Sequence, residues 1–105
     1  MTAVRLEKAD VEGRYTLVGS LTFESVPYLA EDADHLFTDS PALSIDLGRV
    51  GRVDSAGLAL LVDWTRQARE GDQVIRFEQV PAQLLEIARV SGLDNILPLY
   101  READA

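Results

Sequence analysis

The most constraining feature of the sequence is that short runs of alternating polarity are interleaved with longer segments of helical periodicity. Two such runs, residues 4–7 and 15–18, flank Gly13 and predict an antiparallel hairpin. Apolar residues then recur at the i, i+3, i+4, i+7 spacing of an amphipathic helix. This spacing predicts a first helix over residues 26–37, formed by Val26, Leu29, Ala30, Ala33, Leu36 and Phe37.

The same interleaving continues through the middle of the chain. Strands are predicted over residues 43–47 and 74–77 because apolar side chains alternate there. Between them a second helix starts after Asp54 and is predicted to end at Gly71, since glycine is common just beyond a helix C-terminus.

The last part of the chain adds a third helix, which Pro81 opens and Ser91-Gly92 ends, and residues 96–100 fit a final short strand. Strands separated by helices pair in parallel through crossover connections. The sequence therefore predicts the α/β class: a single domain over residues 1–105, with a mixed β-sheet of four to five strands and about three α-helices.

Composition restricts the kinds of partner. The chain has 18 acidic and 10 basic residues and a formal net charge of -8, which disfavours nucleic acid as a partner. It has no cysteine, so disulfides and thiolate chemistry are excluded. The longest apolar run, residues 58–62, is far shorter than the roughly 20 residues of a membrane-spanning helix. With no export leader in the sequence, we expect a cytoplasmic protein without direct membrane insertion.

The segment GRVGRVDSAGLALLVDW, residues 48–64, contains the polar groups that are the main candidates for catalysis or binding. Ser55 lies at a predicted strand-to-helix turn, as a hydrolase nucleophile does, but Val53 stands where the nucleophile elbow requires glycine. The only histidine, His35, falls on the predicted solvated face of the first helix, so no base accompanies the serine. A small hydrolase using Ser55 is therefore a weak interpretation, and no catalytic residue is predicted.

The same segment predicts neither a cofactor nor a metal site. Its glycines lack the spacing of dinucleotide-binding or phosphate-binding loops. Asp46, Asp54 and Asp63 lack the paired acids and late lysine of a phospho-acceptor site. We interpret Asp46 and Asp63 as solvated and Asp54 as a residue that shapes the turn.

The helix after Asp54 also predicts a surface for a partner. At about 100° per residue, its core face would contain Leu58, Leu61, Val62, Thr65 and Ala68. Leu60 would then point away from the core, with Trp64 on the flank beside it. Next to the small residues Ala56 and Gly57, this pair would form a partly apolar patch that a partner can approach closely. Ser55 is interpreted as both the helix cap and a contact residue.

The sequence IDLGRVGRVDSAGLALLVDWTRQAREG resembles the central segment of STAS domains, which include anti-sigma-factor antagonists and small subunits of bacterial transporters. The family pattern is a strand ending in Asp-Leu, a short link, and Asp-Ser/Thr-x-Gly-Leu at a helix start. Asp46-Leu47 and the residues from Asp54 to Leu58 match it position by position. The predicted order of strands and helices also agrees, so the resemblance covers nearly the whole chain.

Residues 49–61 are most similar to the MlaB branch, the cytoplasmic STAS subunits of the phospholipid ABC transporter of Gram-negative envelopes. This resemblance implies a non-enzymatic accessory subunit that binds the transporter ATPase, in a complex with a membrane permease. The subunit would support assembly and activity of the transporter, and so maintain outer-membrane lipid asymmetry. It would lie in the cytoplasm, peripheral to the inner membrane. The partner-binding residues would be Asp54, Ser55, Ala56, Gly57, Leu60 and Trp64.

One residue keeps an alternative open. Ser55 stands where the transporter branch often has threonine, and anti-sigma-factor antagonists commonly carry a phosphorylated serine at this place. The resemblance therefore also marks Ser55 as a candidate phosphorylation site. The alternative function is an anti-sigma-factor antagonist that is regulated by phosphorylation of Ser55. A phosphate there would be tolerated at the helix N-terminus but would add charge to a close interface.

Overall fold

The structure is a computed structural model that describes residues 4–33 and 36–101. Its elements are, in chain order, β1 (Arg5–Lys8), β2 (Arg14–Leu21), α1 (Val26–Asp32), α2 (Leu36–Asp39), β3 (Ala42–Val53), α3 (Ser55–Glu70), β4 (Val74–Glu78) and α4 (Ala82–Val90). The four strands form one sheet in the order β1-β2-β3-β4. β1 is antiparallel to β2, and β3 is parallel to both of its neighbours. The predicted α/β class with a mixed sheet is therefore confirmed.

The core lies on one face of the sheet. Leu43, Ile45 and Leu47 of β3 are almost fully buried, whereas the intervening Ser44 and Asp46 are partly exposed. This alternation shows that the helices pack on one face only and that polar residues occupy the other. From the helices, the core receives mainly leucines and one tryptophan, namely Leu29, Leu36, Leu58, Leu61, Trp64 and Leu84.

Two elements differ from the sequence-based expectation. The single helix predicted over residues 26–37 is two helices, because α1 ends at Asp32 and the single turn α2 starts at Leu36. Both Ala33 and Leu36 are buried, so the apolar spacing continues across this break and could not show it. His35, expected on a solvated face, lies outside the described residues. The strand predicted over residues 96–100 is reduced to one parallel bridge between Leu99 and Phe77.

β3 is also longer than predicted. Its second half continues to pair with β2, with Arg49 opposite Val18 and Val53 opposite Leu21. The pairing with β4 stops earlier, at Asp46. Residues 48–52 therefore lie at the rim of the sheet, where exposed glycines and arginines interrupt the apolar alternation that would have indicated a strand.

The start of α3 lies directly against the end of β2. Gly57 is buried, and a Cβ atom added there would lie 2.7 Å from the carbonyl oxygen of Leu21 and 2.8 Å from its Cβ. No side chain fits at such distances, so the close approach of helix and strand requires glycine. The expectation that Gly57 contacts a partner at an open helix mouth is therefore wrong, because Gly57 faces the interior.

We expect Gly57→Ala to lower the free energy of unfolding by about 1–3 kcal/mol, because the added methyl group forces α3 away from β2. Denaturant unfolding can be followed by the fluorescence of Trp64, the only tryptophan, which is 2% exposed. Gly71→Ala is the matched control, since an added Cβ at Gly71 would meet nothing nearer than 3.4 Å. Equal stability of the two variants would contradict the close approach at Gly57.

Candidate functional site

The link between β3 and α3 is organised by the side chain of Asp54. Its Oδ1 accepts a hydrogen bond from the backbone N–H of Ala56 at 2.9 Å, which is the N-cap bond of α3. Its Oδ2 accepts a second bond, at 3.0 Å, from the backbone N–H of Phe23, 31 residues earlier in the chain. The backbone N–H of Asp54 donates to the carbonyl oxygen of Leu21 at 3.1 Å. Asp54 therefore fastens the start of α3 to the loop between β2 and α1.

Ser55 is the first residue of α3 and not its cap. Asp54 has the extended backbone of an N-cap residue, with φ -128° and ψ -171°, whereas Ser55 is already helical. The prediction that Ser55 caps the helix is therefore wrong, because the capping oxygen belongs to the preceding residue. The Ser55 side chain is exposed, and its hydroxyl makes no hydrogen bond to the residues that the structure describes. This hydroxyl is available to a partner or to a modifying enzyme.

The loop between β2 and α1, which Asp54 holds against the start of α3, presents an aromatic ring. Ser25 is 2% exposed, and its Oγ accepts from the backbone N–H of Thr22 at 2.9 Å and donates to the carbonyl oxygen of Ser20. These bonds fix the turn, which leaves the side chain of Phe23 81% exposed at its tip. Tyr28, on the following turn of α1, is 73% exposed. Sequence reasoning missed both aromatic residues; the available signal was an apolar residue within a polar turn.

A mainly apolar groove of about 410 Å³ lies between α1 and α3, and its lining includes Ala56, the residue that follows Ser55. Phe23, Val26 and Pro27 line its first wall. The wall from α3 has residues at the i, i+3, i+4, i+7 spacing of one helix stripe, namely Ala56, Ala59, Leu60 and Asp63. We define the Ser55 surface as Ser55 together with the groove residues Phe23, Pro27, Ala56 and Ala59, of which Ala56 is half-buried and the others are exposed.

Two residues predicted to anchor a partner are buried. Trp64 is 2% exposed and Leu60 is 9% exposed, so the expectation that they form an exposed patch is wrong. Val62, predicted in the core, is 36% exposed. The reason is that α1 packs against α3, with Val26 and Pro27 across the groove from Leu60. The buried face of α3 is turned by roughly 50° from the predicted one at 100° per residue. Leu60 reaches the groove only by its edge.

Asp63 places a negative charge at the end of the groove. Its carboxylate accepts hydrogen bonds from the guanidinium of Arg66 and, at 2.8 Å, from the side-chain amide of Gln67. The hydrogen bond from Arg66 is the largest influence and lowers the pKa of Asp63, against the smaller opposing effect of partial burial. Asp63 is therefore ionised at neutral pH.

The described part of the chain gives Ser55 little chemical assistance. Both carboxylate oxygens of Asp54, its neighbour, are engaged by backbone N–H groups. Among residues 4–33 and 36–101, no group of three or more His, Cys, Asp or Glu side chains could hold a metal ion. None of the helices described has the length and apolar character needed to cross a membrane. The arrangement offers a hydroxyl beside an apolar surface, which suits binding.

Several solved structures share this fold. The anti-sigma factor antagonist SpoIIAA in its unphosphorylated form is 15% identical, with a TM-score of 0.72 over 97% of this chain and 89% of that one. A sulfate transporter family protein from Wolinella succinogenes is 17% identical, with a TM-score of 0.72 over 92% and 84%. An anti-sigma factor antagonist from Mycobacterium paratuberculosis is 26% identical, with a TM-score of 0.68 over 95% and 86%.

At the level of sequence, no curated protein matches the chain. The sequence profile of the family described as "Mlab, STAS domain" does match, over residues 4–99. This range contains every strand and helix of the structure. The chain therefore belongs to the MlaB-like family of STAS domains.

Proposed function

We propose that the protein is a non-enzymatic accessory subunit that binds the cytoplasmic ATPase of a phospholipid ABC transporter through the Ser55 surface. The observation that carries this proposal is the exposed hydroxyl of Ser55 beside an apolar groove with an exposed aromatic ring, Phe23. Membership of the MlaB-like family supports the choice of the ATPase as the partner.

The composition of the Ser55 surface suits close contact with another protein. Large aromatic side chains contribute strongly to binding when a partner removes them from water. The backbone N–H of Phe23 is held by the Asp54 carboxylate, so little loop freedom would be lost on binding. Ala56 and Ala59 are small, and they let the partner's backbone approach α3 closely.

In this proposal the protein acts as one component of a larger assembly. Bound to the ATPase, it would lie at the cytoplasmic side of the inner membrane, in a complex that also contains the permease. It would support assembly and activity of the transporter, and through it the lipid asymmetry of the outer membrane. Asp54, the carboxylate next to the serine in the chain, is engaged by two backbone N–H groups, which supports a role in binding over one in hydrolysis.

One observation favours a second candidate function. The Ser55 hydroxyl is exposed at a helix N-terminus, where a phosphate is electrostatically tolerated. A solved relative at 26% identity is named as an anti-sigma factor antagonist. An antagonist that an anti-sigma kinase binds and phosphorylates at Ser55 would use the same surface. The two functions differ in the protein that is bound.

We expect Ser55→Glu to fold but to lose the ATPase. A carboxylate in the first turn of a helix is favoured by about 0.3–1 kcal/mol, whereas an unpaired charge buried in an interface costs about 3–5 kcal/mol. Affinity should therefore fall by about a hundredfold or more, with little change in melting temperature. Titration calorimetry with the purified ATPase measures the affinity. Val11→Glu, the same charge change at a position 59% exposed in the hairpin turn, is the control. Wild-type affinity of Ser55→Glu would show that Ser55 faces away from the partner.

Substitutions of the exposed Phe23 and of the buried Leu60 should affect different quantities, ATPase affinity for the first and stability for the second. We expect Phe23→Ala to weaken ATPase binding by about 2 kcal/mol, a loss of roughly thirtyfold, without lowering the melting temperature. Leu60→Ala should lower the free energy of unfolding by about 2–5 kcal/mol, because it leaves a cavity beneath α1. Val90→Ala, at a site 89% exposed on α4, is the control for both measurements. If Phe23→Ala binds the ATPase as tightly as Val90→Ala does, the assignment of Phe23 to the interface is wrong.

The partner itself decides between the two functions. The wild-type protein should bind the ATPase encoded with its transporter and should accept no phosphate on Ser55 from an anti-sigma kinase. Phosphorylation of Ser55 by such a kinase, together with no measurable ATPase binding, would replace the first function by the second.

A further inference from the structure

A second recess borders the exposed face of α3 on the flank opposite the groove. It has a volume of about 400 Å³ and is formed by α3 and by the segment that follows α4. Its α3 residues are Val62, Thr65, Arg66 and Arg69, which again have the spacing of one helix stripe, together with Glu70. Ile96 and Leu97 form the opposite wall, and a neighbouring recess of about 340 Å³ shares these two residues, Thr65 and Arg69. We call the two together the Ile96 recess.

Two apolar side chains at the mouth of the Ile96 recess are exposed. Ile96 is 62% exposed and Val62 is 36% exposed, whereas Leu97 between them is buried and forms the floor. Exposed apolar residues that stand alone are ordinary. Here they adjoin one another at the mouth of a concavity, which is the shape that receives an apolar side chain of a partner.

The charge at the rim indicates the chemistry of that partner. Arg66 is already paired with Asp63 and Glu70, the latter at 3.0 Å. Arg69 lines both parts of the recess but forms no ion pair with any residue in the described ranges. A guanidinium beside an apolar recess favours a carboxylate carried by an apolar segment.

We propose that the Ile96 recess is a second docking surface, which binds an acidic and apolar segment of the same transporter assembly. The segment would place an apolar side chain between Val62 and Ile96 and a carboxylate on the guanidinium of Arg69. The proposal rests on the proposed function for the identity of the assembly. It goes beyond that function because it makes the protein a bridge between two protein segments.

The two surfaces can be occupied at the same time. The stripe of α3 that faces the groove and the stripe that faces the Ile96 recess are separated by roughly a third of a turn at 100° per residue. α1 borders the first, and the segment after α4 borders the second. A partner on one side therefore leaves the other side open.

Site-specific photo-crosslinking in the assembled transporter complex tests the proposal. Benzoylphenylalanine replaces Ile96, or Phe23 in the Ser55 surface, or Val90 as an exposed control outside both surfaces, and mass spectrometry identifies the crosslinked peptides. We expect Ile96 to crosslink to a peptide that contains aspartate or glutamate and that differs from the peptide reached by Phe23. Arg69→Glu should lower the yield from Ile96 by about tenfold, and Arg89→Glu on α4 should leave it unchanged.

The outcomes separate the two proposals. Crosslinks from Phe23 but not from Ile96 would refute the second docking surface and leave the proposed function intact. Absence of crosslinks from both positions would refute the proposed function, and the second surface with it. A crosslinked peptide without acidic residues, a yield insensitive to Arg69→Glu, or a peptide from a second copy of this chain would each overturn the assigned partner chemistry.

Discussion

The two hydrogen bonds accepted by the Asp54 carboxylate are the interaction on which the Ser55 surface depends. β2 and β3 are parallel, so both end at the same edge of the sheet, and the loops that follow them meet there. One oxygen of Asp54 caps α3 and the other holds the backbone N–H of Phe23. A single side chain thereby sets the position of the Phe23 turn relative to the start of α3, where Ser55 presents its hydroxyl.

The start of α3 has a small residue on its inward side and another on its outward side, and the two have different roles. Gly57 faces inward and lets α3 approach Leu21 closely, which brings the helix start within reach of the neighbouring loop. Ala56 lines the groove, and its short side chain lets a partner approach α3 closely. α3 is thus both the helix that buries Trp64 in the core and the helix between the two proposed docking surfaces. A rigid helix in this position would hold two bound segments at a fixed spacing.

The sequence predicts the fold well because the features that identify it are local. Alternating and helical periodicity mark the elements, and Gly71 and Pro81 stand at the helix ends where these residue types are common. The buried face of α3 could not be predicted in this way, because it depends on how α1 packs across Leu60. Choosing the cap was also beyond the sequence, since aspartate and serine cap helices equally well and stand next to each other. Phe23 had no periodic pattern to mark it, because an exposed residue in a turn belongs to no repeat.

The most direct test of this account is amide hydrogen exchange measured by NMR on Asp54→Ala and Asp54→Asn. Alanine removes both acceptors, so the amides of Phe23 and Ala56 should both exchange faster than in the wild type. Asparagine keeps one acceptor oxygen and is a good N-cap, so Ala56 should remain protected while Phe23 loses protection. Exchange of the Ile45 amide in the sheet reports on any general loss of stability. If the Phe23 amide keeps its wild-type exchange rate in both variants, then Asp54 does not hold the loop, and the account of the Ser55 surface is wrong.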